Sequence, residues 1–262
     1  MPVIAKMLQP CSFFIVTVFW AAYLFVFSGC REEDPLVQEM TIEISLHHKN
    51  MGSNLSPGLP VTDSSGTLLS FSKLQYFLSN IRLESDNPMD VYAEPLSYHL
   101  IKALDNGGHT IIRFEKVPLR KYKYLHIGIG LDSLSNRAGS ADVPVLQAGS
   151  GMYWSWSDEF KFMVLEGNFQ KADTSGAFLF HVTGNACYRE IRLDLKNSAG
   201  GEVAFGPRNT ISLLAEIPAL FGSPNPVDFR EMNNVMSPEG GGLKIAGNYS
   251  SGGFLKFQYF SN

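Results

Sequence analysis

The 262-residue sequence sets 21 Lys and Arg against 25 Asp and Glu, a net charge of −4 with a pI near 5.9. Its only basic grouping is Arg120, Lys121 and Lys123. That balance excludes nucleic acid as an expected partner, because phosphate binding needs a basic stripe or patch.

The first residues read as an address. Lys6 supplies a positive n-region, and Ser12–Phe27 is an uncharged apolar run shorter than the ~20 residues of a spanning helix. The run ends at Phe27, Ser28, Gly29 and Cys30. Small residues before a cysteine resemble a lipobox, which implies cleavage before Cys30 and a diacylglycerol on its thiol; a transmembrane anchor is the competing reading. Arg31, Glu32, Glu33 and Asp34 resemble the acidic signal that sends some Bacteroidota lipoproteins to the outer leaflet, with a solvated tether as the alternative. The expected organisation is a signal peptide over 1–29, an acylated cysteine and acidic tether over 30–39, and one domain over 40–262. Cys11 leaves with the signal and Cys30 is acylated, so Cys187 has no partner and the core itself must hold the fold.

From Glu39 the chain reads as strands. Thr41–His48 alternates, with Ile42, Ile44, Leu46 and His48 on one face and His47 on the other. The stretch 50–66 is a loop by its Gly, Ser, Pro and Asn content. Phe71–Leu83 is expected to open with a helical turn and extend into a strand over Leu78–Leu83. Tyr98–Leu104 and Thr110–Phe114 flank Asn106-Gly107-Gly108, a hairpin signal. Tyr124–Leu131 alternates again and leads into a long polar loop, 132–151. Asp132, Asn136 and Asp142 in that loop offer oxygens of the kind calcium takes, although their spacing fits no EF-hand.

The next block, GMYWSWSDEFKFMVLEG over 151–167, holds both tryptophans that remain after export, Trp154 and Trp156. Alternation places the two indoles on one side of a strand, with a charged turn at Asp158 and Glu159 and a second strand beyond it. Ala177–Thr183, Tyr188–Leu195 and Thr210–Ile217 are further strands, and Phe254–Phe260 closes the chain as an aromatic segment. Many short strands with few helices indicate a mainly β protein, an antiparallel β-sandwich with short peripheral helical segments. The sequence contains no G-x-S-x-G, H-E-x-x-H, P-loop or dinucleotide fingerprint, so a non-catalytic binding role is expected.

Four segments carry a resemblance: FSKLQYFLSNIRL (71–83), IGIGLDSLSN (127–136), the tryptophan block, and FLFHVTG (178–184). In order and approximate spacing they are similar to the MbnP-like copper-binding family, periplasmic or surface proteins related to the methanobactin-linked copper protein, and the region 226–246 resembles that family's helix-like C-terminal part. The resemblance implies copper held by histidines, with one tryptophan oxidised to kynurenine as a further ligand and a haem-containing oxidase or peroxidase as the partner that oxidises it. His181 is the histidine of the fourth segment. His48 is the expected second ligand, from a facing strand, with His47 as fallback if a bulge switches the alternation. Trp154 and Trp156 are the tryptophan candidates, and Met236 or Met152 could add a thioether, a donor that favours reduced copper. A lipoprotein that captures glycan or peptide through exposed aromatics, without metal, is the alternative.

Overall fold

The computed structural model describes residues 38–262, apart from 57, 139–142 and 198. The expectations for the signal peptide, Cys30 and the tether up to residue 37 lie outside the described residues, as does Asp142.

The strands in chain order are β1 (Glu39–Asn50), β2 (Ser53–Asn54), β3 (Val61–Thr62), β4 (Leu68–Glu84), β5 (Val91–Ala93), β6 (Tyr98–Lys102), β7 (His109–Pro118) and β8 (Tyr124–Ile129). Helix α1 (Ser133–Ala138) then precedes β9 (Tyr153–Trp154), β10 (Glu159–Lys171), β11 (Thr174–Thr183), β12 (Arg189–Asp194), β13 (Arg208–Glu216) and β14 (Asn234–Val235). Helix α2 (Leu243–Ser250) and β15 (Leu255–Ser261) end the chain. The protein is mainly β with short helices, as its alternating pattern indicates. Among the described residues no helix is long and apolar enough to cross a membrane.

Two sheets face each other across one core. The first runs β15-β13-β1-β2, with β7 also on β1; the second runs β12-β8-β4-β10-β11-β14, with β3, β5 and β6 on β4 and β9 on β10. Most neighbours are antiparallel, but β1 pairs with β13 in parallel from Thr41↔Arg208 to Lys49↔Glu216, and β11 pairs with β14 in parallel. Both sheets are therefore mixed. Local patterning cannot reveal this, because partners so far apart in sequence are joined by no hairpin that would fix their direction.

Strand β1 has the expected alternation, with Ile42, Ile44, Leu46 and His48 all buried. Strand β4 differs from expectation: it is a continuous strand from Leu68, without an opening helical turn, and it forms the central rail of the second sheet. The Asn106–Gly108 turn also departs from the hairpin reading. It carries the chain from β6 in the second sheet to β7 in the first, through positive φ at Asn106, Gly107 and Gly108. At Gly108 a Cβ would stand 3.1 Å from the Leu55 carbonyl oxygen and 3.4 Å from His48 Cβ, so the close approach requires glycine.

The core is strongly aromatic beneath the second sheet. Phe178 and Phe180 of β11 pack with Phe229, the Phe180 and Phe229 rings stacking at 5.5 Å. Cys187 is buried with no disulfide, and burial raises its thiol to about 11, which leaves it protonated and inert.

Candidate functional site

Register decides which side chains meet. In the second sheet, Tyr76 of β4, Met163 of β10 and Val182 of β11 are cross-strand neighbours, so they share a face. That face looks inward, since Tyr76 meets His48 of β1 and Phe254 from the opposite side of the core. One residue along, Gln75, Val164 and His181 are likewise aligned and project from the other face.

His181 lies on that outer face, 9% exposed. Its Nε2 sits 2.8 Å from Oε1 of Glu166 on β10. Its Nδ1 is buried and has no hydrogen-bond partner. The Trp154 ring stands 5.4 Å from the imidazole, centroid to centroid, with the planes at 57°. Trp156 leans on Trp154 at 4.9 Å, and Lys161 Nζ lies 5.6 Å from the Trp154 ring centroid. Lys73, opposite Glu166 on β4, completes the charged surroundings.

The local sequence explains this gathering. A two-residue turn at Ala172 and Asp173 sets Lys171 against Thr174 and so fixes the register that brings Glu166 near His181. The second hairpin, β9–β10, pairs Trp154 with Glu159, and the chain between them forms a turn with Asp158 at positive φ. The strand is therefore shorter than alternation suggests: it ends at Trp154, and Trp156 sits in the turn, 72% exposed. The two indoles still share a side, as expected, because the turn folds Trp156 back on its neighbour.

Electrostatics favour a neutral ring at His181. Burial lowers its pKa, against the raising effect of the Glu166 hydrogen bond, and Lys161 lowers it further. Lys161 is itself lowered, first by burial and then by Lys73, with Glu166 opposing. Neutral imidazole whose Nε2–H donates to Glu166 leaves the Nδ1 lone pair available. This is the arrangement of a metal-binding histidine, whose second nitrogen is held by a carboxylate.

The other sequence candidates scatter. His48 is on the opposite side of the second sheet from His181, so the expected two-histidine site across facing strands does not form. Both of its nitrogens are engaged: Nδ1–H donates to the Gly108 carbonyl oxygen at 2.8 Å, and Tyr76 O–H donates to Nε2 at 2.8 Å. The pairing was expected because strand parity is legible in sequence, whereas the side of the sheet that a distant strand covers is not. His47 points to solvent from the first sheet, also away from His181. Met152 is fully buried in the core. Met236, 40% exposed, immediately follows the parallel pairs Leu179↔Asn234 and Phe180↔Val235, as His181 does on β11.

The calcium expectation is not supported. Asp132 caps α1, accepting from the backbone N–H of Leu134 and Ser135 at 3.1 Å and from the Ser135 hydroxyl at 3.0 Å. Asn136 binds the backbone N–H of Phe160 at 2.9 Å and donates to Asn185 at 3.0 Å. Among the described residues no group of three or more His, Cys, Asp or Glu side chains is placed to hold a metal ion. Glu166, Lys161 and Lys73 escaped the sequence reading, although counting register back from the Ala172–Asp173 turn would have found Glu166.

These features define a mainly β, two-sheet protein with an aromatic–imidazole cluster on the outer face of its larger sheet. The MbnP family model matches residues 39–237, and the chain belongs to that family. Among solved structures it is similar to MbnP from Methylosinus trichosporium, with 12% identity and a TM-score of 0.46 over 71% of this chain and 78% of that one. No curated protein matches the sequence.

Proposed function

We propose that the protein is an exported, lipid-anchored copper-binding protein that holds the ion without turning over a substrate. Membership of the MbnP family supports association with copper, and we assign the ion to the cluster around His181. The observation that carries the reading is the buried, unpartnered Nδ1 of His181 beside Trp154, with Nε2 already held by Glu166. A buried polar atom without a partner costs stability unless something else uses it, and a metal ion is a fitting user of an imidazole lone pair.

His181 would be the first ligand, with Met236 and an oxidised Trp154 as companions. The charge around them favours a monovalent ion, because Lys161 and Lys73 together outweigh the single carboxylate of Glu166 and would repel a dication more strongly. Thioether and imidazole together also suit reduced copper. Oxidation of the indole would come from a haem-containing oxidase or peroxidase outside this chain. Cys30 would anchor the protein at the outer membrane, on its periplasmic or cell-surface face.

The test is copper content after expression in copper-supplemented medium, compared between the wild type and His181→Ala. Copper lost in the variant, with far-UV circular dichroism unchanged, supports the site. Equal copper in both overturns it. A wild type free of copper whose tryptophan fluorescence is quenched by oligosaccharide would instead indicate glycan capture through the exposed Trp156.

A further inference from the structure

A pair of imidazoles lies on the solvent face of the first sheet, away from the His181 cluster. β1 and β7 are antiparallel neighbours, and their register sets His47 directly against His109. The rings stack with centroids 4.3 Å apart and planes within 6°. Both Nε2 atoms turn to one oxygen: Ser45 Oγ is 3.1 Å from His47 Nε2 and 2.9 Å from His109 Nε2. The hydroxyl has one hydrogen, so it donates to one ring and accepts an N–H from the other. Two half-exposed imidazoles are thus aimed at a single point by the backbone register and by one shared hydroxyl.

We propose that His47 and His109 form a binding site for a divalent first-row transition-metal ion, Cu2+ foremost: Ser45 draws both Nε2 atoms to one point, and the ion replaces its two hydrogen bonds as the ring that donated through Nε2 moves that proton to Nδ1. Directly opposed residues of an antiparallel pair have Cβ atoms about 4.5–5.5 Å apart, close enough for both rings to reach one ion at the ~2.0 Å typical of metal–imidazole bonds after a modest turn of each. The donors are nitrogen and oxygen, with no thioether or thiolate named among them, which selects a divalent ion over Cu+; among such ions Cu2+ binds imidazole most tightly. Burial and then the neighbouring His109 hold the His47 pKa below its ordinary value. Lys49, two residues along the same strand face, works against a cation here, although its ammonium is engaged by Asn54 Oδ1 at 2.6 Å. The site differs from the one proposed at His181 in face, donor set and preferred oxidation state, so the two stand or fall separately.

Cu2+ titration of the full chain, read by electron paramagnetic resonance, tests the idea alongside His47→Ala, His109→Ala and His181→Ala. The wild type should show a Cu2+ signal with nitrogen coupling. Affinity at that signal should fall in His47→Ala and in His109→Ala by more than the roughly 10–100-fold that loss of an outer partner costs, and should be unchanged in His181→Ala. If an alanine variant loses its circular dichroism, the glutamine variants His47→Gln and His109→Gln replace it, keeping polarity and size at the surface. No nitrogen-coupled signal in the wild type, or a signal that survives folded His109→Ala or His109→Gln, overturns the proposal. A signal lost in His181→Ala but kept in His109→Ala would overturn it too, while leaving the His181 site standing.

Discussion

Glu166 Oε1 lies 2.8 Å from His181 Nε2 across neighbouring strands, and this bond fixes which imidazole nitrogen can bind anything else. If Nδ1 takes copper, Glu166 is a positioning residue that orients the ring and raises its basicity. Glu166→Gln keeps a hydrogen-bonding partner but removes the charge, so copper affinity should fall about tenfold, and Glu166→Ala about 100-fold. Competition with a chelator of known affinity measures both. If neither differs from wild type, the ring is not presented in this way.

His48 has a structural consequence instead. Its pKa is lowered to about 4, by burial above all, with the Gly108 hydrogen bond opposing. The unfolded chain therefore binds more protons than the folded one between about pH 6.5 and 4, and stability rises with pH across that window. Stability from this residue is complete above the ordinary histidine value and is lost on acidification towards pH 4, by about 3 kcal/mol in all. Urea denaturation at a series of pH values should show the slope. His48→Gln, which hydrogen-bonds but does not titrate, should flatten it; an unchanged slope in that variant would assign it to other groups.

How much of this was legible can be seen residue by residue. The inward face of β1 and the separation of His181 from Phe178 and Phe180 on β11 follow from a period of two and were readable directly. The meeting of Trp154 with His181 depends on two successive hairpins, β9–β10 and β10–β11, whose turns are local and whose registers could be counted. The side of the second sheet on which His48 lies depends on how two sheets stack, with β1 held by a parallel partner from the far end of the chain, and no local pattern encodes that. The same limit hid the convergence of His47 and His109. Each stands in a strand that alternates plainly, but their pairing crosses from the start of the domain to β7.

Met236 offers a test of oxidation-state preference. It directly follows β14, whose short parallel pairing with β11 ends at Phe180↔Val235, one residue before His181. Met236→Leu preserves bulk at a half-exposed position, so folding should be unaffected. Loss of the thioether should weaken Cu+ binding about tenfold while changing Cu2+ binding less, since soft sulfur stabilises the reduced ion. Competition titrations under reducing and oxidising conditions separate the two. Equal Cu+ affinity in the variant would remove Met236 from the ligand set.

The tryptophan pair can now be divided by role. Trp154 is partly buried, its ring 5.4 Å from His181 and 4.9 Å from Trp156. Trp156 lies in the turn, 72% exposed, where a partner protein can reach it. If a haem enzyme oxidises this site, the exposed indole is the natural first stop for an electron leaving Trp154, because the two rings are in contact and only the outer one meets solvent. The oxidant must come from the partner's peroxide or oxygen chemistry, as no described group in this chain supplies one. Trp154 is therefore the expected kynurenine, and Trp156 the relay. Peptide mass mapping of protein purified from its native host should find oxidation at Trp154, and Trp156→Phe should reduce its extent while leaving copper binding by the unmodified protein unchanged. Trp154→Phe should remove the modified peptide and lower copper affinity. Oxidation confined to Trp156, or two intact indoles in fully copper-loaded protein, would return Trp154 to a packing role against His181.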